Sequence, residues 1–285
     1  MSARLLHLSD THLLADAGLH QGAVDTTAAL GDVLAGLGGL GALDAVVVSG
    51  DVSEDGTPAS YAAVRALVEG FARPRGAAVV WAVGNHDART PFAAGLLDRP
   101  DHDPDEPVDA VVDAGGLRLV SLDTSVPGAG YGELRPAQLE RLAELLRGGA
   151  PRGTVVVHHH PVLPAPTVLH EALRLQRPHE LLDVVRGTDV RVLLSGHYHH
   201  PYVAALDGVT AVVAPAVANR TDVLVPAGRE RAVRGSGACL VDLGDDGQVR
   251  VTVLTVPRQR DGEVVVDLDE EAVRSIAAAA GVPAS

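Results

Sequence analysis

Apolar residues recur along the chain in short runs rich in Val and Leu, at residues 5–8, 45–48, 77–83, 117–122, 154–157 and 190–194. Each run is too short for a helix and predominantly apolar, which predicts a buried strand. Between several of them the apolar spacing turns helical, over 24–37, 59–71, 136–146 and 179–185, with Pro136 and Pro178 suited to a first helical turn. Strand and helix alternate, so the expected class is α/β. Later strand patterns at 203–206, 210–213, 238–243 and 249–256 come with Asp207-Gly208 and Asp246-Gly247, and read as hairpins in a second, more antiparallel sheet. A last helix is expected over 270–280, with Asp269 as N-cap and Gly281 and Pro283 as stop signals. The acidic, proline-rich stretch 98–107 reads as a solvated loop, and no repeat divides the chain. One domain over 1–256 and a C-terminal tail with a short helix over 257–285 are the expected organisation.

Composition narrows the function. The chain has 285 residues, 46% of them hydrophobic, enough for a sizeable core. Its 23 basic and 37 acidic side chains leave a net charge of -14, which argues against binding nucleic acid or an anionic membrane. Aromatic residues make up only 2% and offer few stacking platforms for single strands. Every basic side chain is Arg, and without Lys a Schiff base, a lysine nucleophile and a P-loop lysine are all excluded. The single Cys239 can form neither an internal disulfide nor a thiolate metal cluster. No signal-like start and no membrane-length apolar run is present, so a soluble, cytoplasmic protein with no membrane span is expected.

The chemistry lies just beyond the apolar runs. Five of them end in side chains that metals or phosphates seek: Asp10 and His12; Asp51; Asn85, His86 and Asp87; His158, His159 and His160; His197, His199 and His200. Taken singly, each has an ordinary explanation, because Asp, Asn and Gly are turn residues and exposed histidines are common. Five coincidences at one structural position are harder to explain that way. In an α/β sheet the C-terminal strand ends form the binding crevice, so distant residues can meet there.

Asp10-Thr11-His12, Gly50 to Gly56, Gly84 to Asp87, His159 and Gly196 to His199 together resemble the calcineurin-like metallophosphoesterase superfamily, whose motifs are DxH, GDxxxxG, GNHD, a His after the fourth strand, and GHxH. The resemblance covers roughly residues 4–255. Within the superfamily, the Leu122 to Ser125 stretch, Pro127-Gly128, Gly132 to Leu134 and the His-His-Pro segment look like class III cyclic-nucleotide phosphodiesterases, with the glycerophosphodiesterase branch also similar. This resemblance implies a four-layer αββα sandwich with two mixed β-sheets. It also implies one metal on Asp10, His12 and His199, a second on Asn85, His159 and His197, and Asp51 bridging them. His159 is chosen over His158 because the family ligand stands two residues before the proline, here Pro161. His158 and His200 are expected to be bystanders, and Asp87 and Asp123 to support the site from behind.

A phosphodiester is anionic and repels hydroxide. Two adjacent cations neutralise phosphoryl oxygens and acidify a shared water, and hydroxide held by the ions then attacks in line. The departing alkoxide needs a proton, and His86, beside Asn85, is the candidate donor; Asp51 and His86 are thus the expected catalytic residues. Donors that are all N or O fit Fe or Mn best, with Zn and Co allowed. The expected reaction is hydrolysis of 3′,5′-cyclic AMP to 5′-AMP, a small-molecule phosphodiester substrate. A glycerophosphodiester, a 2′,3′-cyclic nucleotide or a phosphomonoester would use the same core. A nuclease lacks its basic stripe here, and a non-catalytic scaffold would not retain every ligand position. Substrate choice is expected in loops at 18–22, 98–107, 125–131 and 162–176. A homodimer is compatible with the chain, though no pattern in it demands one.

Overall fold

A strand buried on both faces sends alternate side chains into two different cores. In the computed structural model, which describes residues 2–206 and 208–281, β1 (Ala3–Leu8) does this: Leu5 enters one core while Leu6 and Leu8 enter another. After α1 (Thr26–Gly36), β2 (Ala45–Ser49) repeats the pattern, with Val47 in the first core and Val46 and Val48 in the second. Helix α2 (Pro58–Ala72), β3 (Ala78–Ala82) and α3 (Arg89–Leu97) follow, and then β4 (Ala110–Ala114), β5 (Leu117–Leu122), α4 (Pro136–Leu146) and β6 (Thr154–His158). The chain continues through α5 (Val168–Ala172), α6 (Pro178–Val185), β7 (Val190–Ser195), β8 (Tyr202–Leu206) and β9 (Val209–Val213). It closes with β10 (Arg220–Thr221), β11 (Glu230–Val233), β12 (Ser236–Leu243), β13 (Val249–Val256), β14 (Val264–Leu268) and α7 (Glu270–Ala280).

The strands form two large mixed sheets, ordered β13-β12-β1-β2-β3 and β4-β5-β6-β7-β9-β8. Their inner faces meet through Leu5, Val47 and Val241 on one side and Leu119, Val157 and Leu194 on the other. The outer face of the first sheet is covered by Leu30, Val64 and Phe92 from its helices, and that of the second by Leu142, Leu181 and Val185. Three cores separate four layers, αββα, as expected. Each fully buried Leu or Val contributes about 1.5–3 kcal/mol through burial alone. The helix ends are also locally satisfied: Asp25, Thr57 and Asp269 accept backbone N–H groups at the starts of α1, α2 and α7.

One expectation is corrected. The two late hairpins do not share a second sheet: β8-β9 extends the sheet of β5, β6 and β7, whereas β12-β13 pairs antiparallel with β1 in the other sheet. Alternation marks these segments as strands, but the free edge each one joins is created elsewhere in the chain. A third, small sheet, β10-β11-β14, was not expected either. Asp207 and Pro283, assigned to a turn and a stop, lie outside the described residues. Helix α7 does not stand apart, since its Val273 is buried and Gly130 N–H donates to the Ala280 carbonyl at 2.7 Å. Among the described residues no helix is long and apolar enough to cross a membrane.

Candidate metal centre

Strands β1, β2 and β3 run parallel, as do β5, β6 and β7 in the other sheet. The loops after β1, β2, β3, β6 and β7 carry all five groups of chemistry-bearing residues. Backbone pairing persists beyond the strand ends: Asp10 N–H donates to Gly50 O at 3.0 Å, His12 N–H to Asp51 O at 2.9 Å, and Gly196 N–H to His159 O at 3.0 Å. The sheets are stitched across the gap as well, because His159 Nδ1–H donates to Ser49 O at 2.9 Å and His197 N–H donates to both Asp10 carboxylate oxygens at 3.0 and 3.1 Å. Gly50, at φ +100°, is required here: any Cβ would collide with the His159 ring.

Asp10, His12, Asp51, His197 and His199 all adopt left-handed backbone conformations, with φ between 44° and 69°. Asp and His tolerate that region better than most side chains, but each still carries strain of about 1–3 kcal/mol. Five such residues around one point make the local backbone subordinate to where the side chains must aim.

Hydrogen bonds settle which ring nitrogens face inward. His12 Nδ1 lies 2.6 Å from Glu54 Oε2 and His199 Nδ1 lies 2.7 Å from Asn219 Oδ1, both acceptors, so each Nδ1 carries the proton and each Nε2 is left with a lone pair. Those two Nε2 atoms face each other at 3.2 Å, with Asp10 Oδ1 3.4 Å from the His199 atom and Asp51 Oδ2 3.6 Å from the His12 atom. Four acceptors turned on one point repel one another unless positive charge lies between them. On the other side, His159 has its Nδ1 committed to Ser49, and its buried Nε2 has no hydrogen-bond partner and lies 3.3 Å from Asp51 Oδ2. Asn85 Oδ1 is also buried without a partner. His197 Nε2–H donates to Leu173 O at 3.0 Å, which leaves its Nδ1 with a lone pair. Asp51 Oδ2 therefore lies between His12 Nε2, which clusters with Asp10 and His199, and His159 Nε2, whose ring is 5.0 Å from that of His197.

The three consecutive histidines differ in where their ring nitrogens turn, although His158 Nε2, like His159 Nε2, is buried without a partner. His160 comes near His159 and His197, but its Nδ1 faces Thr124 Oγ1 at 2.8 Å and its Nε2 faces Gly130 O at 3.2 Å, so neither nitrogen is spare. His158 Nδ1 is engaged by His160 O at 2.8 Å, and the ring joins none of the clustered groups. His200 turns its Nδ1 to Thr221 O at 3.2 Å and packs on Tyr202.

Electrostatics follow the geometry. Burial alone would raise the Asp51 carboxyl, yet His159 and His86 outweigh it and hold the group well below the carboxylate range. Burial likewise disfavours protonated His159, but Asp51 overrides it and pushes the imidazole up to about 9. His12, where burial dominates, falls to about 4. The field that raises His159 is one that attracts cations, and the donor set of carboxylate, amide oxygen and imidazole suits a borderline or hard metal ion.

Asp87 accepts from the backbone N–H groups of Val52, Ser53 and Gly84 and from the Tyr61 hydroxyl, pinning the loop after β2 to the loop after β3. Asp123 hydrogen-bonds to none of the candidate ligands. It pairs with buried Arg89 at 2.8 Å and accepts from Val108 and Ser125. Glu54 was missed by sequence reasoning: besides His12, its Oε2 lies 3.2 Å from His86 Nδ1 and 3.4 Å from His20 Nδ1. Its only signal was a place inside the Gly50 to Gly56 motif, where the residue type is free. Asn219, which orients His199 and meets His20 Nε2 at 2.9 Å, carried no signal at all.

The cluster floors a cavity of about 330 Å³. Of the four loops expected to border it, 18–22 contributes His20 and Gln21 and 162–176 contributes Leu169, His170 and Leu173. The 98–107 and 125–131 loops are absent from its wall, and their place is taken by Glu230 and Ala232 of β11, Val266 and Leu268 of β14, and Ile276 of α7. The small third sheet and last helix thus roof the centre that the two large sheets build.

Residues 3–201 match the calcineurin-like phosphoesterase family model. The chain is 41% identical over 278 residues, 96% of this chain and 90% of the relative, to a probable cyclic nucleotide phosphodiesterase of Rhodococcus erythropolis. It is 42% identical over 236 residues, 82% of this chain and 74% of the relative, to a cAMP/cGMP dual specificity phosphodiesterase of Mycobacterium tuberculosis. Among solved structures, a purple acid phosphatase from yellow lupin seeds shares the fold with a TM-score of 0.60 at 13% identity, over 100% of this chain and 57% of that one.

Proposed function

Since the chain belongs to the calcineurin-like phosphoesterase family, we propose that it is a dinuclear-metal phosphodiesterase that hydrolyses 3′,5′-cyclic AMP to 5′-AMP. The observation that carries the metal-dependent part is the meeting of His12 Nε2, His199 Nε2, Asp10 Oδ1 and Asp51 Oδ2, four acceptors turned on one point. The cyclic-nucleotide part is supported by the names of the Rhodococcus and Mycobacterium relatives.

In this reading Asp10, His12 and His199 hold one ion, Asn85, His159 and His197 hold the other, and Asp51 serves both. Fe or Mn is favoured by the N and O donors. Two bound cations would supply charge neutralisation at the phosphoryl oxygens and a water acidified enough to be a nucleophile near neutral pH. The protein's own contribution is orientation. Glu54 and Asn219 lock His12 and His199 in the tautomer that presents Nε2, and Ser49 O does the same for His159. Neutral imidazole and amide ligands leave much of the cations' charge for the substrate. His86 sits at the cavity wall with Nδ1 on Glu54, so Nε2 is the atom that delivers a proton to the departing 3′ oxygen.

Steady-state rates on cyclic AMP, cyclic GMP, 2′,3′-cyclic AMP and glycerophosphoethanolamine, with Mn present, test the substrate. The highest kcat/KM is expected for cyclic AMP. A metal-loaded protein that cleaves bis(p-nitrophenyl) phosphate but no 3′,5′-cyclic nucleotide would refute it, and no turnover of either would favour a scaffold.

A further inference from the structure

Glu230, the first residue of β11, pairs with Leu268 of β14 and is only 7% exposed. Its carboxylate has an uneven set of partners. Oε1 lies 4.0 Å from His170 Nδ1, whose own hydrogen-bond partner is the Thr167 hydroxyl at 2.9 Å. Oε2 is buried with no hydrogen-bond partner, in a side chain that lines the same cavity as the metal-ligand cluster. A buried acceptor left unpaired is costly, and one that borders a binding cavity is matched when a ligand brings a donor.

The chemistry of that donor is set by position. A carboxylate repels a phosphoryl group, so Glu230 must meet an uncharged part of the substrate. His170 links Glu230 to the centre, its ring 5.9 Å from the ring of His197. Glu230 therefore lies one side chain away from a proposed ligand, close to where the phosphodiester sits. The apolar residues Leu169, Val266, Leu268 and Ile276 line one part of the wall, and the polar His20, Gln21, Asn219 and Thr221 line another. In a 3′,5′-cyclic ribonucleotide the donor next to the phosphodiester ring is the 2′-hydroxyl.

We propose that Glu230 is a specificity-determining residue whose Oε2 accepts a hydrogen bond from the hydroxyl adjacent to the scissile phosphodiester, the 2′-OH of a cyclic ribonucleotide, while the apolar wall receives the base. This rests on the reading of the site as a cyclic-nucleotide phosphodiesterase. It assigns discrimination to the third sheet, outside the strand-end loops that hold the metal ligands.

The test is the ratio of kcat/KM for cyclic AMP to that for 2′-deoxy cyclic AMP, measured within each metal-loaded enzyme so that differences in active fraction cancel. Wild type is expected to prefer the ribo substrate by about 10- to 100-fold, the range for a hydrogen bond to a charged group. In Glu230→Ala the ratio should fall to near 1, and in Glu230→Gln, which keeps a neutral acceptor, to an intermediate value. Equal rates on both substrates in wild type, or an undiminished preference in Glu230→Ala, overturn the proposal while leaving the phosphodiesterase reading intact. Loss of preference in Glu230→Ala for cyclic AMP over cyclic inosine monophosphate, with the deoxy preference unchanged, overturns it in favour of a base contact. Cleavage of bis(p-nitrophenyl) phosphate but of neither cyclic nucleotide by wild type refutes the substrate reading itself.

Discussion

Glu54→Ala is the most informative single change at the centre, because one carboxylate oxygen accepts from His12 Nδ1 at 2.6 Å and lies 3.2 and 3.4 Å from Nδ1 of His86 and His20. Removing it leaves the buried His12 Nδ1–H without its acceptor and frees the ring to turn or to change tautomer, which withdraws Nε2 from the cluster. Losing a carboxylate behind a ligating histidine typically costs 10–100-fold in metal affinity, about 1.4–2.7 kcal/mol. Glu54 is only partly buried, with its side chain 21% exposed, so water replaces some of the lost bonding and the lower half of that range is expected. The assay is a Mn titration that follows bis(p-nitrophenyl) phosphate hydrolysis, paired with metal content after gel filtration. Half-saturation should move up about 10- to 30-fold in Glu54→Ala and less in Glu54→Gln, which retains an acceptor. Saturating Mn should restore metal content without restoring the full rate, because His86 has lost its anchor as well. Wild-type metal affinity together with wild-type turnover in Glu54→Ala would refute the claim that this carboxylate sets the ligand tautomer.

Asp51→Ala should strip metal from both sets and abolish hydrolysis, since Asp51 is the group between them; retained metal at full occupancy by elemental analysis would contradict that placement. His86→Ala should keep its metal yet lose about 10²–10⁴-fold in kcat on substrates with alkoxide leaving groups, with a much smaller loss on p-nitrophenyl esters, whose leaving group needs no proton; a wild-type rate on cyclic AMP would rule out the acid role. Cys239 is fully buried, and burial pushes its thiol up to about 12, so the reactive thiolate is scarce at about pH 8. A thiol reagent should therefore label the protein only after denaturant is added, and rapid native labelling would show the intersheet core to be open.

The strands and helices of the α/β frame were legible because their cause is local. Val46, Val47 and Val48 are all buried, and only a strand lying between two cores makes an unbroken apolar run of that length. The shorter elements were not. Helix α3 comes directly after the Gly84 to Asp87 motif and shows little amphipathic contrast, and β4 has only a half-buried pattern. Strands β11 and β14 pair across a gap of some thirty residues, and neither stands out without its partner.

The amino-acid order determined on its own which residue types occupy each strand end, so the five loops that carry the candidate ligands could be identified before any contact was known. Tertiary structure alone decided that Asp51 stands between His12 and His159, that His159 is the member of the triple histidine whose unpartnered nitrogen faces Asp51, and that Glu54 and Asn219 orient His12 and His199. The reason is physical. A side chain's chemistry belongs to its residue, but the tautomer of an imidazole and the partner of a carboxylate are set by atoms that folding brings from the other sheet.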